Sequence, residues 1–289
     1  MFKNITNLLK INHYFKNTVV FVPLLFSKNF TDIKLCLFSL IIFISFCLIS
    51  SSVYILNDLI DVESDKKHPI KKYRPIPSGQ ISLKSAIFIL IILFILSTLS
   101  ALFVNIYCAY TIWIYFILNI LYSLWLKKIP LIDALCIAIG FILRILSGCF
   151  AISVLPSPLV ILMTFFLSNF FTFTKRKLEI ELINDSSTRK SLNGLNVNTV
   201  NQFILINAIL SISFYITYVL DKTTIEKVGS EYLYLTVMPF TLIIYRLFML
   251  INTKNSSDDP ITYIEKDTTL KYLFLFYFII FVLIYTVIK

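Results

Sequence analysis

Charge is scarce in this chain: of its 289 residues only 15% are charged, where a soluble domain carries about 25%. Acids are scarcer than bases, 16 Asp and Glu against 26 Lys and Arg, and none lies midway along an apolar stretch. The five cysteines (Cys36, Cys47, Cys108, Cys136 and Cys149) show no C-x-x-C spacing and all lie within or beside apolar segments. That excludes a disulfide framework and a thiolate metal site, and leaves small hydrophobic side chains. Glycine is rare, but beside abundant Ile, Phe, Lys and Asn this is a compositional bias without functional weight. The net charge of +10 sits in short loops between apolar blocks, so no nucleic-acid partner is expected.

What is present is apolar: 58% of residues are hydrophobic and the mean hydropathy is +0.84. The apolar residues form blocks of roughly 20, the length needed to cross a hydrocarbon core of about 30 Å as helices. Spans are expected at 16–29, 34–56, 84–104, 106–126, 131–153, 157–174, 200–220, 231–251 and 270–288. The fold class is therefore all-α, a polytopic membrane bundle of about nine transmembrane helices, read as a single membrane-embedded domain over 1–289. The first span is the weakest, because Lys16 and Asn17 cut into it. The stretch before it is amphipathic and basic, and no small-residue cleavage site follows its apolar part. It is expected as an interfacial helix rather than a signal peptide.

Basic loop residues set the orientation. With the N-terminus inside, the exterior segments hold only Lys28, Lys34, Lys222, Lys227 and Lys289. All other loop bases then fall inside, together with the long polar loops 57–83, 175–199 and 252–269. A cell (inner) membrane protein with a cytoplasmic N-terminus and a cytoplasm-facing site is expected. Two arginines, Arg144 and Arg246, lie within spans, where a charge costs at least about 2.5–3.5 kcal/mol. Arg144 is about 13 residues into its span, roughly 20 Å at the helical rise. With no mid-span acid to pair with it, a cavity holding an anion is the more economical reading of that residue.

The loop after the second span carries Asn57-Asp58-x-x-Asp61-x-x-x-Asp65 and then Lys66, Lys67, Lys71, Lys72 and Arg74. On a continuing helix Asn57, Asp61 and Asp65 share a face, with Asp58 displaced to its side. So many carboxylates repel unless a cation neutralises them, and Mg²⁺ prefers such oxygens together with water or phosphate. The charges alone fit either a metal-bound diphosphate site or a solvated loop whose charges pair with each other.

The order of residues goes further. N-D-x-x-D-x-x-x-D after a span, then Arg74-Pro-Ile-Pro-Ser-Gly79, resembles the UbiA superfamily of intramembrane prenyltransferases over most of the chain. Aromatic-acceptor members carry a second aspartate-rich element after the sixth span. This chain has Lys175-Arg176-x-x-Glu179 there, followed by Arg189. That pattern is similar to the polyprenyl-phosphate phosphoribosyltransferase branch, the decaprenylphosphoryl-ribose synthases. Further matches in order are Lys16-Asn17, His68-Pro69-x-Lys71, Tyr122-Ser123-x-x-Leu126-Lys127, Asp133, Gly140-Phe141-x-Leu143-Arg144 and Asp259-Pro260.

The resemblance implies a Mg²⁺-dependent transferase. Its donor is 5-phosphoribosyl 1-diphosphate and its acceptor a polyprenyl phosphate, and its products are polyprenyl-phosphoryl-5-phosphoribose and diphosphate. Asn57, Asp58, Asp61 and Asp65 are the expected metal ligands, with Asp58 and Asp61 central to catalysis. Lys71, Arg74, Lys175 and Arg176 are expected on donor phosphates, with Glu179 beside them. Asn17 is a further substrate contact, and Lys16, Lys127 and Arg144 suit phosphates of either substrate. His68, ahead of Pro69, fits a turn, a phosphate contact or proton transfer. Two rival readings share part of this pattern: a 4-hydroxybenzoate-type aromatic prenyltransferase using a prenyl diphosphate, and a transporter of phosphorylated solutes or lipids. The transporter gives no reason for the ordered acids.

Overall fold

The computed structural model describes residues 2–182, 196–253, 263 and 266–286; Arg189 and Asp259-Pro260 lie outside them. Its α-helices are α1 Phe2–Leu9, α2 Val22–Phe26, α3 Ile33–Ile60, α4 Val62–Lys67, α5 Leu83–Val104 and α6 Ile106–Leu124. They continue as α7 Ile132–Ala151, α8 Pro158–Leu182, α9 Val197–Leu220, α10 Lys222–Val228, α11 Val237–Ile251 and α12 Thr268–Thr286. Short polar residues start the long helices. Asp32, Ser82, Asn105 and Asn196 each accept a hydrogen bond from a backbone N–H of the first turn, satisfying donors that hydrocarbon cannot. Asn105 also ends α5 and donates from Nδ2 to the Phe150 carbonyl at 2.8 Å.

Among the described residues, eight helices are long and apolar enough to cross a membrane. The chain is a multi-pass, all-α membrane protein. The remaining expected span, 16–29, takes another form: a 3₁₀ helix over Ile11–Phe21 runs into α2. Lys16 and Asn17 interrupt the apolar run there, and the narrower helix turns Asn17 fully inward. At about 2.0 Å per 3₁₀ residue and 1.5 Å per α residue, Ile11–Phe26 reaches roughly 30 Å.

The contacts gather into two compact units, where the sequence reads as one domain. The first comprises 1–127 and 143–156, the second 128–142 and 157–289.

In the first unit α3 packs on α5 through hydroxyls. Ser97 donates to the Ser45 carbonyl (2.8 Å) and Ser52 to that of Leu90 (3.1 Å), while the Ser45 and Ser100 hydroxyls meet at 2.7 Å. Small polar residues of this kind allow close approach and supply bonds where lipid supplies no hydrophobic drive. Gly148 serves the same end: a Cβ there would lie 2.2 Å from the Val20 carbonyl oxygen. Leu8 of α1 is fully buried with Ile55, Ile76 and Ala86, which fastens the N-terminal helix beside the end of α3.

The second unit is built on α8 and α9, with Phe170, Phe173, Ile204 and Leu247 in its core and the Phe173 and Phe203 rings stacked at 5.0 Å. The Tyr215 hydroxyl meets those of Thr236 (2.6 Å) and Tyr277 (2.8 Å). Outward faces in both units carry side chains such as Phe88, Phe103, Ile117 and Phe278, as lipid contact requires.

Candidate active site

The end of α3 delivers the acidic motif. Asp61 closes the helix with φ −92° and ψ 7°, yet its N–H still bonds to the Asn57 carbonyl and the Asp65 N–H to that of Asp61. The helical screw therefore carries through into α4. The side chains do not group as the i, i+4 spacing predicts. Asp58 and Asp65 are the pair that share a face: both are buried and both accept from Arg74 Nη1, at 3.0 and 2.8 Å. Seven residues bring the helix back to within about 20° of the same direction, closer than the four that separate Asp61 from Asp65. Asp61 turns elsewhere, and Lys127 Nζ donates to both of its oxygens at 2.7 and 2.8 Å. Asn57 Oδ1 accepts from Ser123 Oγ.

Every acid of the motif thus holds a base. Lys71 approaches Asp65 at 3.9 Å. Lys10, on the turn after α1, donates to Asp58 Oδ1 at 2.9 Å and lies over the Tyr54 ring at 4.9 Å. Burial lowers the Lys10 ammonium below the ordinary lysine range, and Asp58 opposes that shift. Asp58 Oδ2 is buried without a hydrogen-bond partner. His68 Nδ1 accepts from the backbone N–H groups of Ile70 (3.2 Å) and Lys71 (3.3 Å), so His68 shapes the turn that presents Lys71 and Arg74.

The donor set suits a hard divalent ion: carboxylate and amide oxygens, with one buried carboxylate oxygen unspent. Among the described residues no three His, Cys, Asp or Glu side chains converge on a point for an ion, because the carboxylates are turned onto Lys10, Arg74 and Lys127. The fit is one of chemistry and sequence position, with basic groups now neutralising the acids.

Deeper in the same unit, Arg144 is buried and bonds to neutral side chains. Its Nε donates to Asn17 Oδ1 at 2.8 Å, and its Nη2 contacts the Tyr115 hydroxyl at 3.2 Å and that of Ser50 at 3.4 Å. The guanidinium also faces the Tyr115 and Phe46 rings at 4.8 and 5.3 Å, which compensates part of its lost hydration. Arg246, by contrast, is paired with Asp267 at 2.7 Å, at the start of α12. Lys16 is half-buried on the 3₁₀ segment.

The Lys-Arg-x-x-Glu element belongs to the second unit. Arg176 is buried and pairs with Glu179 at 2.7 Å and with Asp133 at 2.8 Å. Lys175 is exposed. Lys177 is buried and donates to Asn252 Oδ1 at 2.5 Å. The candidate list drawn from sequence omits Lys10, Ser123 and Asp133. Ser123 and Asp133 carried a signal as parts of recognised motifs. Lys10 carried only its place on a basic amphipathic stretch.

Comparison with known proteins shows the family and the fold. Residues 18–281 match the model of the UbiA prenyltransferase family. An uncharacterised protein of Sinorhizobium fredii is 31% identical over 182 residues, 63% of this chain and 35% of its own length. The decaprenyl-phosphate phosphoribosyltransferase of Mycolicibacterium smegmatis is 27% identical over 212 residues, 71% of this chain and 67% of that protein. This chain thus spans about a third of the length of the first relative and two thirds of the second. In fold it is similar to a UbiA homologue from Archaeoglobus fulgidus bound to GPP and Mg²⁺, with a TM-score of 0.72 at 14% identity, covering 98% of this chain and 100% of that one. Matched from the 3₁₀ segment to the last helix, the chain belongs to the UbiA prenyltransferase family.

Proposed function

We propose that this protein transfers 5-phosphoribose from 5-phosphoribosyl 1-diphosphate to a polyprenyl phosphate, releasing diphosphate and leaving the ribose linked to the lipid phosphate through C1. The observation that carries this reading is the assembly at the end of α3, where Asp58, Asp61 and Asp65 meet Lys10, Arg74 and Lys127. It holds the two complementary halves that a metal-bound diphosphate needs. The relative named as a decaprenyl-phosphate phosphoribosyltransferase supports the choice of branch, as does a second-unit motif with bases where aromatic-acceptor enzymes need aspartates. The rival, prenyl transfer to an aromatic acid, shares the first motif alone.

The nucleophile in this reaction is a phosphate oxygen that is already anionic, so no side chain has to remove a proton. The tasks left to the protein are positioning and charge compensation. Asp58, Asp61, Asp65 and Asn57 are the residues to hold Mg²⁺, which when bound supplies Lewis acidity to the leaving diphosphate. Arg74 and Lys71 bind that diphosphate, and Lys127, released from Asp61, is placed to join them. Lys16, Asn17 and Arg144 are the residues we assign to the lipid-linked phosphate. In the second unit Lys175 takes the phosphate-binding role more readily than Arg176, whose guanidinium is committed to Asp133 and Glu179. We place the protein in the cell (inner) membrane with its N-terminus and the 57–83 loop on the cytoplasmic side, where the soluble donor is found.

The test is direct. Detergent-solubilised protein, Mg²⁺, labelled phosphoribosyl diphosphate and polyprenyl phosphate should yield label in the lipid phase. Absence of labelled lipid, with prenylated 4-hydroxybenzoate formed from a polyprenyl diphosphate, would establish the rival instead. Asp58→Ala and Asp61→Ala should each lower turnover by about 10²–10³-fold or more while the protein still inserts. Wild-type rates in either would remove the metal assignment.

A further inference from the structure

We infer that Lys10 is an internal counterion that competes with a divalent cation for Asp58, so that the cation and a phosphate-type anion bind as a coupled pair. The inference rests on the reading that Asp58 is a metal ligand, and deepens it.

The geometry has three parts. Lys10 Nζ sits 2.9 Å from Asp58 Oδ1, and Arg74 Nη1 reaches the same oxygen at 3.0 Å. A cation drawn to Asp58 therefore meets two positive groups already in place, and like charges at such range repel. The second oxygen, Oδ2, is buried without a partner, so the acid has acceptor capacity to spare even while Lys10 occupies it. Finally, an open cavity of about 380 Å³ is lined by Lys10, His13, Tyr73 and Arg74 together with Asn7 and Asn12. The bases that grip Asp58 also line a space able to take an anion.

Neither ligand is favoured alone. A cation arriving first adds positive charge beside Lys10 and Arg74 with no anion to offset it. An anion arriving first draws those bases off Asp58 and Asp65, which are 1% and 3% exposed, and leaves buried charge uncompensated. When both arrive, the acids exchange a lysine for the cation and the bases exchange a carboxylate for the anion. Each ligand then raises the affinity of the other by the same factor. Lys10 is a positioned competitor in this scheme. Its backbone is held at φ 51° on the turn after α1, and buried Leu8 fixes that helix beside α3.

The experiment measures Mn²⁺ binding to the full-length protein in detergent by electron paramagnetic resonance, with no turnover involved. If Lys10 leaves Asp58 available for only about a tenth of the time, Lys10→Met tightens Mn²⁺ about tenfold. Lys10→Arg keeps the charge and should stay near wild type. Lys66→Met is the control: it removes one nearby positive charge whose partner is Glu63, and should change affinity less than about twofold. In wild type, millimolar inorganic phosphate should tighten Mn²⁺ several-fold; in Lys10→Met it should do so much less. Equal effects of Lys10→Met and Lys66→Met overturn the inference while leaving the metal site intact. So does the absence of phosphate coupling in wild type, a measurement that needs no variant. Mn²⁺ binding that survives Asp58→Ala unchanged overturns the metal reading itself.

Discussion

The two units handle buried charge differently. At the end of α3 two buried acids meet bases that reach the surface: the Asp58 and Asp65 side chains are 2% and 4% exposed, those of Arg74 and Lys71 35% and 45%, with Lys10 the more enclosed base and Asp61 the more open acid. In the second unit the base is inside together with its acid: the Arg176 side chain is 4% exposed, with Asp133 at 5% and Glu179 at 22%. A base with one side in water can leave its acid and be rehydrated; a guanidinium enclosed by two carboxylates cannot. The first arrangement suits exchange of ligands and the second suits permanence. Motifs that look alike in sequence, a few charges at helical spacing, thus divide by whether the base is enclosed with its acid or left partly in water.

The largest effect should separate those two arginines. Arg176→Leu strands two carboxylates in the second unit and should cost about 3–5 kcal/mol, read as a fall in melting temperature in detergent. Arg74→Leu leaves Asp58 with Lys10 and Asp65 with Lys71 and should cost less than Arg176→Leu while severely reducing turnover. Equal destabilisation by the two would erase the contrast. A smaller effect is expected at Gly148, where a methyl group meets the Val20 carbonyl oxygen. Gly148→Ala should cost about 1–3 kcal/mol by overpacking and should weaken the hold of Asn17 on Arg144. The smallest concerns Arg246 and Asp267, whose carboxyl the Arg246 hydrogen bond holds below the usual aspartate range. Because the folded value lies below the unfolded value of about 3.9, this contribution is present above that pH. It is lost as pH falls through the depressed folded value. Partial exposure limits it to under about 1 kcal/mol, and Asp267→Asn should flatten the acid limb of a melting-temperature profile by that amount.

Much of the fold was legible because lipid is a strict solvent: apolar blocks of span length placed the helices nearly where they stand. The motif was legible too, since its four side chains lie within nine residues, Asn57 to Asp65. Its internal geometry was not. Counting by fours grouped Asp61 with Asp65, whereas the wheel brings Asp58 and Asp65 together after seven. Lys10 lies 48 residues from Asp58, and no local rule connects them. For Arg246 the sequence offered no mid-span acid, yet Asp267 begins the next helix and meets it. The 3₁₀ form of Ile11–Phe21 was likewise hidden, because Lys16 and Asn17 read as a weak span rather than as a change of pitch.

The serine contacts between α3 and α5 have a consequence for depth. A helix sliding in lipid along a smooth apolar neighbour changes height at little expense. Here three directional bonds must all break before α3 can slip by one turn of 5.4 Å. They act as a vernier, and the quantity they set is how far above the hydrocarbon the first acid emerges. Ser52 stands six residues before Asp58 on the same helix, so replacing these hydroxyls with alanine should blur the height of the acidic motif before it unfolds anything.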